Sequence, residues 1–173
     1  MSEILRPIIM RSNRLLGAAL VERNLITVEQ LNQATERFLQ ILDTAGETEA
    51  SLLSVLVHEV KAVTEDTLLE YLVDELSLGL IDVRELDLSD DLKLHLQPGQ
   101  CWATWSVPFD KDEDVHYVAS AYCLSPAVRQ YWEKQFGGPV IWFGATIESI
   151  TGFLEKLKIE RAMHASPAHA GAA

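Results

Sequence analysis

The chain has 173 residues, of which 48% are hydrophobic and 23% charged, as in ordinary globular proteins with a buried core. Its formal net charge is −12, and residues 43–114 hold eighteen acidic side chains against four basic ones. Nucleic-acid backbones are bound by clustered Lys and Arg, so this acidic middle argues against such a partner. It favours either a solvated surface or a docking surface for a basic partner.

The composition also bears on the compartment. No apolar run approaches the roughly 18–20 residues that span a bilayer, and the start of the sequence lacks the apolar core of a signal peptide. Cys101 and Cys123 are too few for a disulfide framework, and both lie in sequence that predicts strands. We therefore expect a cytoplasmic protein in which both thiols are reduced and packed.

A sequence pattern occurs twice, 37 residues apart. The first copy begins at Leu16 and the second at Leu53, and both follow the pattern L-x3-[L/V]-x-E-x3-[I/V]-T-x3-L. The pattern predicts a helix–turn–helix unit used twice, with the two copies packed on each other.

Capping residues define the helical half. Pro7 argues against a long helix through residues 4–10, and Thr27 with Gln30 forms a capping box. The predicted elements are a helix over about 13–23, a second helix over about 28–42, a loop over 43–50, a third helix over about 51–60 and a fourth over about 64–77.

In the second half of the chain the spacing of the apolar residues changes from a helical period to the alternation of strands. Pro98-Gly99 is predicted to end a short helix, and Ser125-Pro126 to begin another. Alternation predicts a hairpin on either side of a charged turn over 110–114. The predicted elements are an extended segment over 80–83, a helix over about 87–96, strands over 101–109 and 115–121, a helix over 125–136, a buried strand over 139–143 and a last helix that Thr146 caps.

These elements predict an α+β protein with two subdomains and a tail. Residues 1–78 form a four-helix subdomain whose two helix–turn–helix repeats cover about 14–38 and 51–75. Residues 79–160 form a small β-β-α-β-α subdomain. Residues 161–173, rich in Ala, His and Pro, are expected to be a disordered tail or a linker.

The order of these motifs resembles a known family. Leu16, Gly17, Leu20, Asn24, Ile26 and Leu31 are similar to its repeat L-G-x-x-L-x3-G-x-I-x4-L. Further matches are the acidic connector over 80–96, the strand end Val107-Pro108-Phe109 and the helix start over 144–150. Over roughly 12–157, the chain resembles the N-terminal domain of type II secretion and type IV pilus assembly ATPases, the GspE/MshE N-terminal family.

The resemblance implies a non-catalytic domain that docks an ATPase to proteins of a membrane-associated platform. In the MshE branch the repeats also hold cyclic di-GMP: an Arg meets phosphate, a Gly lets the base approach the backbone and leucines cover the purine. By this resemblance the candidate ligand residues are Arg14, Leu16, Gly17, Leu20, Asn24, Ile26 and Leu31.

The chain departs from the family pattern at several of these positions. Leu15 stands where the family has its Arg, one residue after Arg14, and Asn24 and Phe38 replace a Gly and a Gln. In the second copy the positions of the Arg and the two glycines are occupied by Ser51, Ser54 and Lys61.

Three functions therefore stay open: a protein-interaction domain without a cofactor, a cyclic di-GMP sensor, and a scaffold unrelated to secretion. An enzyme is not expected, because the sequence contains no G-x4-G-K-[S/T] loop, no His/Cys spacing typical of a metal site and no nucleophile motif.

Overall fold

The computed structural model describes residues 4–45 and 50–165. The elements of the first half are α1 (Arg6–Glu22), α2 (Val28–Thr44), α3 (Leu52–Ser54), a π-helical turn (Val55–Glu59) and α4 (Glu65–Leu76). The prediction of two helix pairs is confirmed, although α3 continues as the π-helical turn rather than as a regular helix to residue 60.

The second half contains a four-stranded sheet and its covering helices. Its elements are β1 (Gly79–Leu80), a 3-10 turn (Val83–Glu85), α5 (Asp90–His95), α6 (Pro98–Thr104), β2 (Ser106–Asp112), β3 (Val115–Ser120), α7 (Pro126–Phe136), β4 (Val140–Gly144) and α8 (Ile147–Ala165). The sheet order is β1-β4-β3-β2, with β4 parallel to both neighbours and β2 antiparallel to β3. The predicted α+β class is confirmed.

Two prolines lie in the first turns of helices, at places where the sequence pattern predicted no helix. Pro7 lies in the first turn of α1, which therefore starts about seven residues earlier than expected. The short helix predicted before Pro98 is α5, which ends at His95, but Pro98 also starts α6, so the predicted strand over 101–109 is wrong in its first half. The first turn of a helix leaves its N–H groups unbonded, and proline therefore costs nothing there.

Further boundaries differ from the prediction. β2 extends to Asp112, which shortens the charged turn, and β4 is only partly buried because Ile141 is 44% exposed. α8 runs to Ala165, so residues 161–165 are helical rather than a tail. The Arg161 guanidinium donates to the carbonyls of Lys93 and Leu96 and so ties α8 to the end of α5. The remaining tail and residues 46–49 of the predicted loop lie outside the described residues.

One hydrophobic core runs through both halves. α1 packs against α6 and α7 as well as against α2 and α3. The predicted division near residue 79 stays a prediction. Within the described ranges, no helix is both long enough and apolar enough to cross a membrane.

Candidate functional site

The two repeats adopt equivalent backbone geometry at matched positions. Asn24 and Lys61 follow their respective first helices with φ of 57° and 55°. Thr27 and Thr64 each accept a hydrogen bond from the backbone N–H three residues on and so begin the next helix. The 37-residue repeat is therefore a repeat of structure as well as of sequence.

The predicted ligand residues are mostly buried between the repeats. Leu16, Leu20 and Ile26 belong to the core and are at most 5% exposed. A Cβ atom on Gly17 would lie 2.5 Å from Leu31 Cδ1 and 3.1 Å from Leu52 Cδ2. The absence of a side chain at Gly17 thus allows α1 to approach α2 and α3, and leucines from both repeats occupy the space over this glycine.

Arg14 and Asn24 lie on the surface, apart from this buried group. No hydrogen bond or ion pair of the Arg14 side chain is found among residues 4–45 and 50–165. The structure therefore brings Leu16, Gly17, Leu20, Ile26 and Leu31 into the packing of the repeats and leaves one cation and one amide outside. The assignment of these residues to a ligand stays a prediction.

In the second repeat the position equivalent to Arg14 is a structural anchor. Ser51 is buried, caps α3 by accepting from the N–H of Ser54, and lies 2.8 Å from the Tyr122 hydroxyl. Tyr122 donates to Asn13 Oδ1, and burial raises its pKa well above the usual range. Each polar group in this cluster has a partner, so the cluster fixes the second repeat onto α1 and the sheet.

A partly exposed aromatic surface forms one face of the sheet near the β2–β3 hairpin. The parallel pairing of β3 and β4 places Tyr117 opposite Ile141 and Ala119 opposite Phe143. Since side chains alternate along a strand, these residues point away from His116 and Trp142. α7 covers the opposite face, where Phe136 stacks on His116 and Arg129 lies 5.9 Å from the Trp142 ring.

Phe109 joins this face because of a bulge in β2. The register shifts between Pro108 and Asp110, and the Phe109 ring lies 6.2 Å from Tyr117 and 5.4 Å from Phe143. Gly79 leaves room for the Phe143 ring, since a Cβ there would lie 2.8 Å from that ring. We call the group of Phe109, Tyr117, Ile141 and Phe143 the aromatic face.

The sequence contained part of the signal for this surface. Alternation in β3 indicated that Tyr117 shares a side with Val115 and Ala119, but it did not say which side is open. The position of Phe109 depends on the bulge, and the exposure of Ile141 depends on which face α7 covers. Neither can be read from the residues alone.

A groove of about 360 Å³ lies on the α7 side of the hairpin, lined partly by Leu96, Pro108, Trp132 and Phe136. His116 also lines it, and its ring lies parallel to that of Phe136 at 3.9 Å. Burial, together with nearby Lys111, lowers the pKa of His116. The groove therefore presents neutral, stacked rings.

The two cysteines lie in the interior. Cys101 is in α6 rather than in the predicted strand, and Cys123 follows β3. Burial raises the pKa of each thiol to about 12. Both are therefore protonated and poorly nucleophilic at neutral pH.

Comparison with known proteins places the fold. No protein-family model and no curated protein matches the chain. Among solved structures, one described as MshE with cdg has a TM-score of 0.50 at 19% identity, covering 82% of this chain and 97% of that one. Two crystal forms of the N-terminal domain of XpsE have TM-scores of 0.53 and 0.51 at 18% and 19% identity, covering 84% and 80% of this chain and 94% and 90% of theirs.

The chain has the fold of the XpsE N-terminal domain. The predicted resemblance to the GspE/MshE N-terminal family is thereby confirmed at the level of the fold. The match extends over 90–97% of the length of each neighbour.

Proposed function

We propose that this chain is a non-catalytic interaction domain that docks onto a component of a secretion or pilus assembly machinery at the cytoplasmic side of the membrane. Its fold is that of a secretion-protein N-terminal domain. The proposal gives the domain no cofactor and no nucleic-acid partner. The observation that carries it is the aromatic face, which offers a partner apolar rings on a rigid sheet.

The composition of this face suits an interface. Phe109, Tyr117 and Phe143 are half-buried and contact one another, and Ile141 is 44% exposed. Large aromatic side chains are enriched in protein interfaces because each contributes much contact area and has few rotamers to lose. The sheet holds these rings in place before a partner arrives, which lowers the entropic cost of binding.

The test is binding to the cytoplasmic domain of a secretion or pilus platform protein from the same genome. Ile141→Asp adds a charge to the aromatic face at a position exposed enough for the variant to fold. Val28→Asp is the matched control, because Val28 is also β-branched, is 55% exposed and lies on α2. We expect Ile141→Asp to weaken binding at least about tenfold, roughly 1.4 kcal/mol, and Val28→Asp to leave it unchanged.

Biolayer interferometry with the folded variants, checked by thermal melting, gives the answer. Equal binding by both variants would place the interface elsewhere on the domain. No binding by the wild-type chain to any platform domain would reject docking and leave a scaffold unrelated to secretion.

Cyclic di-GMP sensing is the alternative function. It is supported by the neighbour described as MshE with cdg and by the exposed Arg14 and Asn24. The packing around Gly17 argues against cyclic di-GMP binding, because Leu31 and Leu52 occupy the space that a base would need.

A further inference from the structure

We propose that the partner segment bound by the aromatic face is basic and apolar, with Lys or Arg side chains next to its hydrophobic residues. This inference rests on the proposed docking function and names the chemistry of the partner. It follows from the charges that the strand register places on the same side of the sheet as the aromatic rings.

The register separates the hairpin charges by face. Asp110 pairs with Tyr117 and Asp112 pairs with Val115, whereas Lys111 pairs with His116. Paired residues share a face, so both carboxylates border the aromatic face. Lys111 shares the other face with His116 and lines the groove there, and Asp110 at the edge strand also reaches the rim of that groove.

Neither carboxylate is neutralised within the described ranges. Asp110 and Asp112 are exposed and form no ion pair there, and Asp110 accepts only the N–H of Lys111. Glu113 and Asp114 add two exposed carboxylates at the turn. The hairpin at the border of the aromatic face therefore carries four exposed carboxylates against one lysine, an excess of negative charge.

The rings themselves favour a cation. The faces of Phe and Tyr rings attract ammonium and guanidinium groups, and the attraction increases when partner contacts exclude water. A Lys or Arg between Asp110 and the Tyr117 ring would satisfy both groups, while an apolar neighbour covers Ile141. An acidic segment would meet like charges along the same border.

The experiment titrates the full chain with two labelled synthetic amphipathic peptides of the same pattern, one of leucine and lysine, the other of leucine and glutamate. Binding is measured by fluorescence anisotropy at about 0.05 M and 0.5 M salt, since screening weakens exposed charge pairs. The variants are Asp110→Lys/Asp112→Lys and the milder Asp110→Asn/Asp112→Asn. The matched control is Glu36→Lys/Glu70→Lys, which reverses two exposed charges on α2 and α4.

We expect the lysine peptide to bind and the glutamate peptide not to bind. Asp110→Lys/Asp112→Lys should weaken binding of the lysine peptide at least about tenfold, and Asp110→Asn/Asp112→Asn should weaken it severalfold. The control pair should change this affinity less than about twofold. Ile141→Lys should also weaken it, because this change replaces an apolar side chain of the aromatic face with a cation that repels the lysine peptide. Equal loss in hairpin and control variants would mean attraction to net charge alone and would overturn the proposal, as would preference for the glutamate peptide.

The same variants separate this inference from the docking function. Platform binding that depends on Ile141 but not on the Asp110/Asp112 pair would retain the function and reject the basic partner. Lysine-peptide binding that depends on that pair, with no platform binding, would retain the surface chemistry and reject the function.

Discussion

The hydroxyl of Tyr122 donates a hydrogen bond to Asn13 Oδ1 at 2.7 Å, and both side chains are at most 1% exposed. Asn13 lies in α1, and Tyr122 follows β3. The same hydroxyl lies 2.8 Å from Ser51 Oγ and 3.4 Å from the N–H of Leu53. One phenol therefore connects both repeats to the sheet.

Tyr122→Phe should destabilise the protein by about 1–3 kcal/mol, because it leaves buried polar groups of Ser51 and Leu53 without this partner. Tyr117→Phe is the matched control, since Tyr117 is half-buried and no hydrogen bond of its hydroxyl is found within the described ranges. Urea denaturation of both variants measures the difference. Equal midpoints for the two variants would show that the Tyr122 cluster does not stabilise the fold.

Gly17→Ala should destabilise the protein by about 1–3 kcal/mol through overpacking, even though alanine favours a helix. The new Cβ would meet Leu31 Cδ1 at 2.5 Å. Combining it with Leu31→Ala removes the clash, so the double variant should lose less than the sum of the single losses. Strict additivity in denaturation experiments would show that Gly17 does not govern the approach of the two repeats.

Lys61→Gly should stabilise the protein by about 0.5–1 kcal/mol, because Lys61 has φ of 55° and glycine adopts this conformation without strain. Asn24→Gly should change stability less, since asparagine tolerates the same conformation better than lysine. Lys61→Ala keeps the strain and serves as the control. A melting temperature of Lys61→Gly at or below that of Lys61→Ala would contradict the prediction.

Stability should decrease as the pH falls below the ordinary His pKa of 6.5. Burial next to Phe136 and the charge of Lys111 lower the pKa of His116, while the Asp114 carboxylate acts in the opposite sense. The unfolded chain therefore binds this proton more readily, and the loss develops between pH 6.5 and the lower folded pKa. The free energy of unfolding is measured by urea denaturation at several pH values. His116→Phe should lose less stability than the wild-type chain over this pH range, and an unchanged pH dependence would assign the effect to other groups.

A calorimetric titration with cyclic di-GMP should give no binding heat, because Leu31 and Leu52 cover Gly17 and the second repeat has Ser51 in place of a cation. Arg14→Ala is titrated in parallel. Micromolar or tighter binding that Arg14→Ala weakens would make the first repeat a sensor and would show that the leucines move aside for the ligand.

The helical repeats could be predicted because their signals are local. Thr27 and Thr64 each cap a helix with their own side chain. Asn24 ends the first helix with positive φ, and Lys61 does so at the matched position of the second repeat. Ser125 was correctly placed before a helix, but its hydroxyl donates to the distant carbonyl of Ser12. Local sequence indicates where a helix starts, while the partner of a buried hydroxyl depends on tertiary packing.

The segment around Trp105 could not be predicted for a different reason. Cys101, Ala103 and Trp105 alternate with less apolar residues, which suggests a strand, but α6 is only seven residues long. In so short a segment, the two-residue period of a strand and the 3.6-residue period of a helix predict nearly the same buried positions. Trp105 ends α6 with φ of 49°, a conformation for which tryptophan gives no sequence signal.

The bulge that brings Phe109 onto the aromatic face has a second consequence, at the border of the sheet. β2 is the last strand in the order, and Pro108 has no N–H to offer a further strand. The bulge makes the outer edge of β2 irregular, and the exposed charges of Asp110 and Asp112 disfavour pairing with a further strand there. The strand is thus a poor template for fibre growth, and the chain can present exposed rings to a partner without inviting sheet-by-sheet aggregation.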